Sequence, residues 1–351
     1  MEIRACLKDL IPYTPGVLKE GAIKLASNEN PLGVSPKAQQ KITECAGNAS
    51  LYPDGGCVAL RKALASKLSL TPENIIVGNG SDEVLIFVAG TLIEPGDNAI
   101  TSESTFSEYA YATHLYGGIM KYAPMKNGCF QLDEILNRID INTKIIFLCN
   151  PNNPTGTYFN NDTFVKFMNK VPSGVCVVMD EAYIEYATNK DFPPSIELIE
   201  KFKNLIVLRT YSKLYGLAGM RVGYGIANNE FIYNLNKARS PFNVNILAQE
   251  AATAALSDND FVNRSLTMNE AGKKYLYNCF DSMGLKYYKT EANFIFVYIN
   301  QDCKVAFEKL MELGITIRPL KSFGFNDAIR ITIGTQEQNE FFINCLKNIL
   351  V

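Results

Sequence analysis

From about residue 55 to residue 245 the chain alternates short apolar runs with amphipathic helical patterns. The runs fall at 75–77, 99–101, 144–149, 176–179, 205–208 and 222–226, and helical patterns at 56–68, 81–92 and 162–170 lie among them. A short, continuously apolar strand is one buried on both faces, and strands separated by helices are joined by crossovers. The alternation therefore predicts an α/β fold, with a mostly parallel central sheet sandwiched by helices. Helical periodicity takes over at 248–283. A strand at 293–299, a helix at 305–313, a strand at 328–333 and a last helix at 337–350 follow, which predicts a smaller α+β domain. The expected division is a large domain at 31–246, with 1–30 and 247–351 forming the small domain.

Composition narrows the function classes. A net charge of −2 supplies no field to draw the chain to nucleic acid or to an anionic membrane. The longest apolar stretch, 84–93, is about half of a membrane span and stops at Glu94-Pro95. Residues 1–10 lack the apolar core of a signal peptide, so a cytoplasmic location is expected. The nine cysteines form no Cys-x-x-Cys pair and read as reduced thiols, with no metal site expected. His114 is the single histidine, which argues against a catalytic triad or a multi-histidine metal centre. Acid–base chemistry then falls to another side chain.

Three polar clusters each follow an apolar run: Asn150-Pro-Asn-Asn-Pro-Thr-Gly156, Asp180-Glu-Ala-Tyr183 and Arg209-Thr-Tyr-Ser-Lys213. Ligands of open α/β sheets bind beyond the carboxyl ends of the strands, so parallel strands would bring Asn153, Asp180, Tyr183 and Lys213 to one crevice. A lysine amine there suits an aldehyde. A buried carboxylate such as Asp180 suits a ring nitrogen that must stay protonated. Asn153 and Tyr183 can serve a ring hydroxyl. The strand–turn–helix pattern Ile75-Ile-Val-Gly-Asn-Gly-Ser-Asp-Glu83 offers backbone N–H groups at Gly80, Ser81 and Asp82 for a phosphate, with Thr210, Ser212 and Arg221 in support. Position 83 is glutamate, which breaks a dinucleotide-binding fingerprint, and no Walker Gly-Lys-Ser/Thr occurs. Aldehyde, ring nitrogen and phosphate together describe pyridoxal 5'-phosphate (PLP), with Lys213 as both covalent anchor and proton carrier.

With these clusters in this order, the chain resembles the fold-type I PLP-dependent aminotransferases. The resemblance spans nearly the whole sequence, through Tyr13-Thr-Pro-Gly16, Asn28-Glu-Asn-Pro31, Gly80-Ser-Asp-Glu83, Asn152-Asn-Pro-Thr-Gly156, Asp180-Glu-Ala-Tyr183, Arg209-Thr-Tyr-Ser-Lys213, Gly216-Leu-Ala-Gly-Met-Arg221 and Ile329-Arg-Ile-Thr-Ile-Gly334. It implies an aspartate aminotransferase-like fold. It also implies that Phe106 stacks on the cofactor, without the hydroxyl a tyrosine would bring. Tyr52 would reach the cofactor phosphate of a second subunit, in a homodimer with shared sites. Tyr13, Asn28, Arg318 and Arg330 would bind substrate. The first two and the last of these motifs favour the branch acting on L-histidinol phosphate with glutamate and 2-oxoglutarate, in histidine biosynthesis. The alternatives are a threonine-phosphate decarboxylase-like enzyme of cobalamin biosynthesis, to which Thr105-Phe-Ser-Glu-Tyr109 lends support, and an aromatic amino acid aminotransferase. One departure stands out. The family usually has proline before Thr-Phe in the stacking loop, and this chain has Ser104.

Overall fold

The computed structural model describes residues 1–8, 10, 12 and 19–350. Its largest sheet has seven strands, in the order Ile75–Gly78, Gly223–Ile226, Leu205–Thr210, Cys176–Asp180, Thr143–Cys149, Asn98–Ser102, Ile119–Ala123. Gly223–Ile226 is antiparallel to both of its neighbours, and the other six strands share one direction. The expected α/β architecture and its mostly parallel sheet are therefore what the chain adopts. The reason is burial on both faces: Ile145, Ile146, Phe147 and Leu148 are all fully enclosed, as are Leu205 to Leu208.

The antiparallel strand matters for the site. The six strands of common direction end at one sheet edge, and Gly223–Ile226 begins there. Register puts Gly223 opposite both Thr210 and Gly78, and Asp180 opposite both Cys149 and Leu208. Arg221, which precedes its strand, thus arrives at the edge where the other strands deliver residues that follow theirs.

A second core lies around an antiparallel three-stranded sheet, Phe294–Tyr298, Ala328–Thr332 and Arg318–Pro319. The helices Asn259–Ser282, Cys303–Glu312 and Gln336–Ile349 supply its other walls. Ile23–Lys24 pairs in parallel with Ile315–Thr316, and Leu25 is buried in this second core. The helix Ile246–Ala255 instead buries Ala248, Ala251, Ala252 and Ala255 in the core of the large sheet. We therefore propose that the large unit runs on to about Ser257, past the division expected at 246.

Among the described residues, seven helices are capped at their N-termini by the side chain before them: Ser35, Asn160, Asn228, Asn245, Asp258, Asp302 and Thr335. Ser81–Leu92 is different. Its N-cap is Gly80, which has no side chain to offer. No helix among the described residues is long and apolar enough to cross a membrane.

Candidate active site

The sheet edge forms the floor of a cavity of about 320 Å³. Its lining includes Asn28, Gly80, Ser81, Asp82, Phe106, Asn153, Asp180, Tyr183, Thr210, Ser212, Lys213, Arg221, Arg318 and Arg330. The structure thus brings together fourteen of the sixteen candidate residues. Tyr52 is not among them: it is 83% exposed and stacks on Phe242 at 4.9 Å between ring centroids. Tyr13 lies outside the described residues. A larger cavity of about 760 Å³ adjoins the first and shares Phe106, Arg318 and Phe323 with it. It lacks Lys213 and Asp180, so the chemistry belongs to the smaller one.

Lys213 sits three residues past the strand Leu205–Thr210, half-buried, with Nζ donating to the Ser27 carbonyl at 3.1 Å. The Tyr183 ring lies 5.7 Å from that nitrogen. Burial, with the positive charge of Arg330 added, lowers its pKa from 10.5 to about 8. An amine in that range is a base near neutral pH and still a usable acid.

Asp180 ends the neighbouring strand and is only 4% exposed. Its Oδ2 accepts from the Tyr109 hydroxyl at 2.6 Å and its Oδ1 from the Ala182 amide at 3.1 Å. Burial raises its pKa to about 6, and these two donors oppose the rise. Tyr183 accepts from Asn28 Nδ2 at 3.0 Å and meets Phe294 edge-on. Asn28 is held in a left-handed conformation, φ 57°, with its amide donating to Thr332 Oγ1 at 2.9 Å.

Arg330 crosses between the two cores. Nη1 donates to Asn153 Oδ1 and Nη2 to the Ala26 carbonyl. Its Nε is buried without a partner. Burial lowers the guanidinium's pKa to about 10. Register pairs Arg330 with Arg318, an exposed guanidinium that lies over the Phe323 ring. Two cations side by side, one of them buried and short of a hydrogen-bond acceptor, make an anion site.

At the other end, close approach requires glycine. A Cβ on Gly223 would lie 2.3 Å from the Ser81 amide nitrogen, and one on Gly80 (φ +86°) would lie 2.6 Å from Arg221 Nη2. Arg221 itself is left-handed, φ 55°, and pairs with Asp82 at 3.2 Å. Ser212 donates its amide to Thr210 Oγ1 at 3.1 Å. Uncapped amides, two hydroxyls and a guanidinium fit a phosphate. The buried carboxylate, the amine and this cup together fit PLP.

Three features were not anticipated. Tyr109, in the helix Glu108–Leu115, is the hydroxyl partner of Asp180. It lies three residues after Phe106, a spacing that in the sequence reads as core. Glu181 is fully buried and accepts from Arg209 Nε and Nη2 at 3.0 and 2.8 Å, behind the sheet edge. Ser104 has φ 51°, outside the range open to proline, and donates to the Phe323 carbonyl at 2.7 Å. His114 stands in the last turn of its helix. All nine cysteines are free, and no cluster of three or more His, Cys, Asp or Glu side chains among the described residues could hold a metal.

Comparison with known proteins agrees with this geometry. Residues 20–346 match the family model for aminotransferase class I and II. The histidinol-phosphate aminotransferase of Moorella thermoacetica is 47% identical, over 99% of this chain and 92% of its own. That of Bacillus licheniformis is 42% identical over the full length of both. Among solved structures, histidinol-phosphate aminotransferase from Sinorhizobium meliloti in complex with pyridoxal-5'-phosphate superposes with a TM-score of 0.91 at 27% identity, covering 99% of this chain and 97% of that one. From the family model, the relatives and the shared fold together, the chain belongs to the class I and II aminotransferase family.

Proposed function

We propose that this protein transfers an amino group between L-histidinol phosphate and 2-oxoglutarate, giving imidazole acetol phosphate and L-glutamate, with PLP as its cofactor. The observation that carries this reading is the pairing of Arg330 with Arg318 in the lining of the cavity. The substrates carry different anions, a phosphate ester and a carboxylate. A guanidinium fork pairs bidentately with either. The names of the relatives, at 40–47% identity, point to the same chemistry.

In this reading Lys213 holds the cofactor aldehyde, Asp180 its ring nitrogen, and Asn153 and Tyr183 its ring hydroxyl. Phe106 covers the ring. Gly80, Ser81, Asp82, Thr210, Ser212 and Arg221 take the phosphate. When bound, PLP supplies a sink for the electron pair left at the substrate α-carbon. Lys213 Nζ takes the proton from that carbon and returns it at the neighbouring position, a role its pKa of about 8 suits. Asn28 fixes the Tyr183 hydroxyl. Arg330, Arg318 and Tyr13 bind the substrate anion. Tyr52, exposed on the single chain, contributes to the phosphate cup of a second copy, which makes the working unit a cytoplasmic homodimer.

The test is a panel of half-reactions on the purified, cofactor-loaded protein. L-Histidinol phosphate, L-phenylalanine and L-threonine phosphate are each mixed with it, and the change in cofactor absorbance is timed. Histidinol phosphate is expected to react fastest. Faster conversion by phenylalanine, or carbon dioxide release from threonine phosphate, would overturn the assignment.

A further inference from the structure

Tyr109 is fully buried, its ring stacked on Phe147 at 4.9 Å with 4° between planes and set edge-on to Phe106 at 5.7 Å. A phenylalanine would fill that stack equally well. What the tyrosine adds is one hydroxyl, and it reaches Asp180 Oδ2 at 2.6 Å. Burial holds the phenol well above its ordinary pKa, so it stays protonated and can only donate to an ionised carboxylate. A neutral donor on a charged acceptor is the stronger kind of hydrogen bond, and a desolvated setting strengthens it further.

The surroundings explain why Asp180 needs such a donor. Its neighbour in register is the Cys149 thiol, which burial holds in its neutral form. The carboxylates of Asp82 and Glu181 both add negative charge nearby. Tyr183, from the following turn, is likewise kept neutral by burial. Against these stand two donors, the Ala182 amide and the Tyr109 hydroxyl. The amide belongs to the turn and comes with any residue. Tyr109 is the side chain chosen for the task.

We propose that Tyr109 is a positioning residue for the transamination reaction: its hydroxyl keeps Asp180 ionised and fixes the carboxylate where the cofactor's ring nitrogen needs it. This rests on the reading in which Asp180 serves that nitrogen. One loop-to-helix segment then carries both contacts, Phe106 toward the cavity and Tyr109, three residues later, toward the carboxylate.

The experiment compares wild type, Tyr109→Phe, Asp180→Asn and the double variant as full-length protein. The dissociation constant for PLP is measured on each, and the pH profile of kcat/KM on wild type and Tyr109→Phe. Tyr109→Phe is expected to weaken PLP binding about tenfold and to move the acid limb of the profile up by about one pH unit, a fold-change of one bond to a charged group. In the Asp180→Asn background the same change is expected to weaken binding less than twofold, because the hydroxyl acts through the charge. Full additivity, or a Tyr109→Phe profile unmoved from wild type, would overturn the proposal. Asp180→Asn that binds PLP like wild type would instead sink the reading of Asp180 itself. A measurement on wild type alone bears on the case where Tyr109→Phe does not fold. The 15N shift of labelled PLP's ring nitrogen is expected to stay constant from about pH 9 to pH 6.5, and titration inside that window would show that Asp180 is not held ionised.

Discussion

Lys213 is predicted to destabilise the cofactor-free protein that it serves. Replacing it with methionine keeps an unbranched side chain, one heavy atom shorter, and removes the charge. The pKa falls from 10.5 in the unfolded chain to about 8 in the folded one, with burial as the main cause. At pH 7 the amine is protonated in both states, so the whole penalty is present, about 3 kcal/mol. Between pH 8 and pH 10.5 the unfolded chain holds the proton and the native one does not, so stability rises with pH through that window. At pH 9.5 only about 1 kcal/mol of penalty is left. The variant also loses the bond to the Ser27 carbonyl, worth about 1 kcal/mol. Lys213→Met is therefore expected to be more stable than wild type by about 2 kcal/mol at pH 7 and nearly equal to it at pH 9.5. The assay is urea unfolding of the cofactor-free proteins, followed by far-ultraviolet circular dichroism because the chain has no tryptophan. Protein concentration is held fixed, since any dimer links stability to it. Comparing the two proteins at the same pH cancels the cysteines and tyrosines that titrate in that range. A variant less stable than wild type at pH 7, or one whose advantage does not shrink at pH 9.5, would refute the reasoning. The expected result would make Lys213 a case of stability given up for function: the burial that weakens the fold is what brings the base near neutral pH.

Two further changes test the substrate end and the stacking loop. Arg330→Lys keeps the charge and loses the fork that now reaches Asn153 and the Ala26 carbonyl, so KM for both glutamate and histidinol phosphate is expected to rise roughly 10- to 100-fold in steady-state assays. Ser104→Pro forces a residue with φ 51° into a range near −65° and removes the bond to Phe323, and is expected to cost about 1–3 kcal/mol in thermal unfolding. Ser104→Gly tolerates the backbone and is expected to cost less.

The large sheet was legible because its strands are enclosed on both sides, which leaves uninterrupted apolar runs at 145–149 and 205–208. The edge strand Ile119–Ala123 was not. Only Met120 and Ala123 are buried in it, and Lys121 and Tyr122 stand between them, so no continuous run marks it. The helix Pro36–Cys45 was missed for a related reason. It buries only Ala38 and Cys45, and its strongest signals are the capping Ser35 and the proline that follows. Tyr109 was illegible because its meaning lies in a bond to a residue 71 positions away. In sequence it is one more aromatic at helical spacing, which reads as core.

The site residues were more legible than the fold around them, and the sheet explains why. Asn153 and Lys213 each follow a strand, and Asp180 ends one, on the same edge, so motif order along the chain becomes proximity in space. Arg221 follows a different rule. It stands before its strand, and an all-parallel sheet would have carried it to the opposite edge. Only because Gly223–Ile226 runs antiparallel to both neighbours does its beginning meet their ends, with Gly223 level with Thr210 and Gly78. The proposed phosphate cup thus depends on one reversed strand and on the glycine that lets it lie against Ser81. Tyr52 marks the limit of the same logic. It is carried to the surface beside Phe242, away from the cavity. In this structure it does not line the cavity of its own chain, and the role proposed for it requires a second copy.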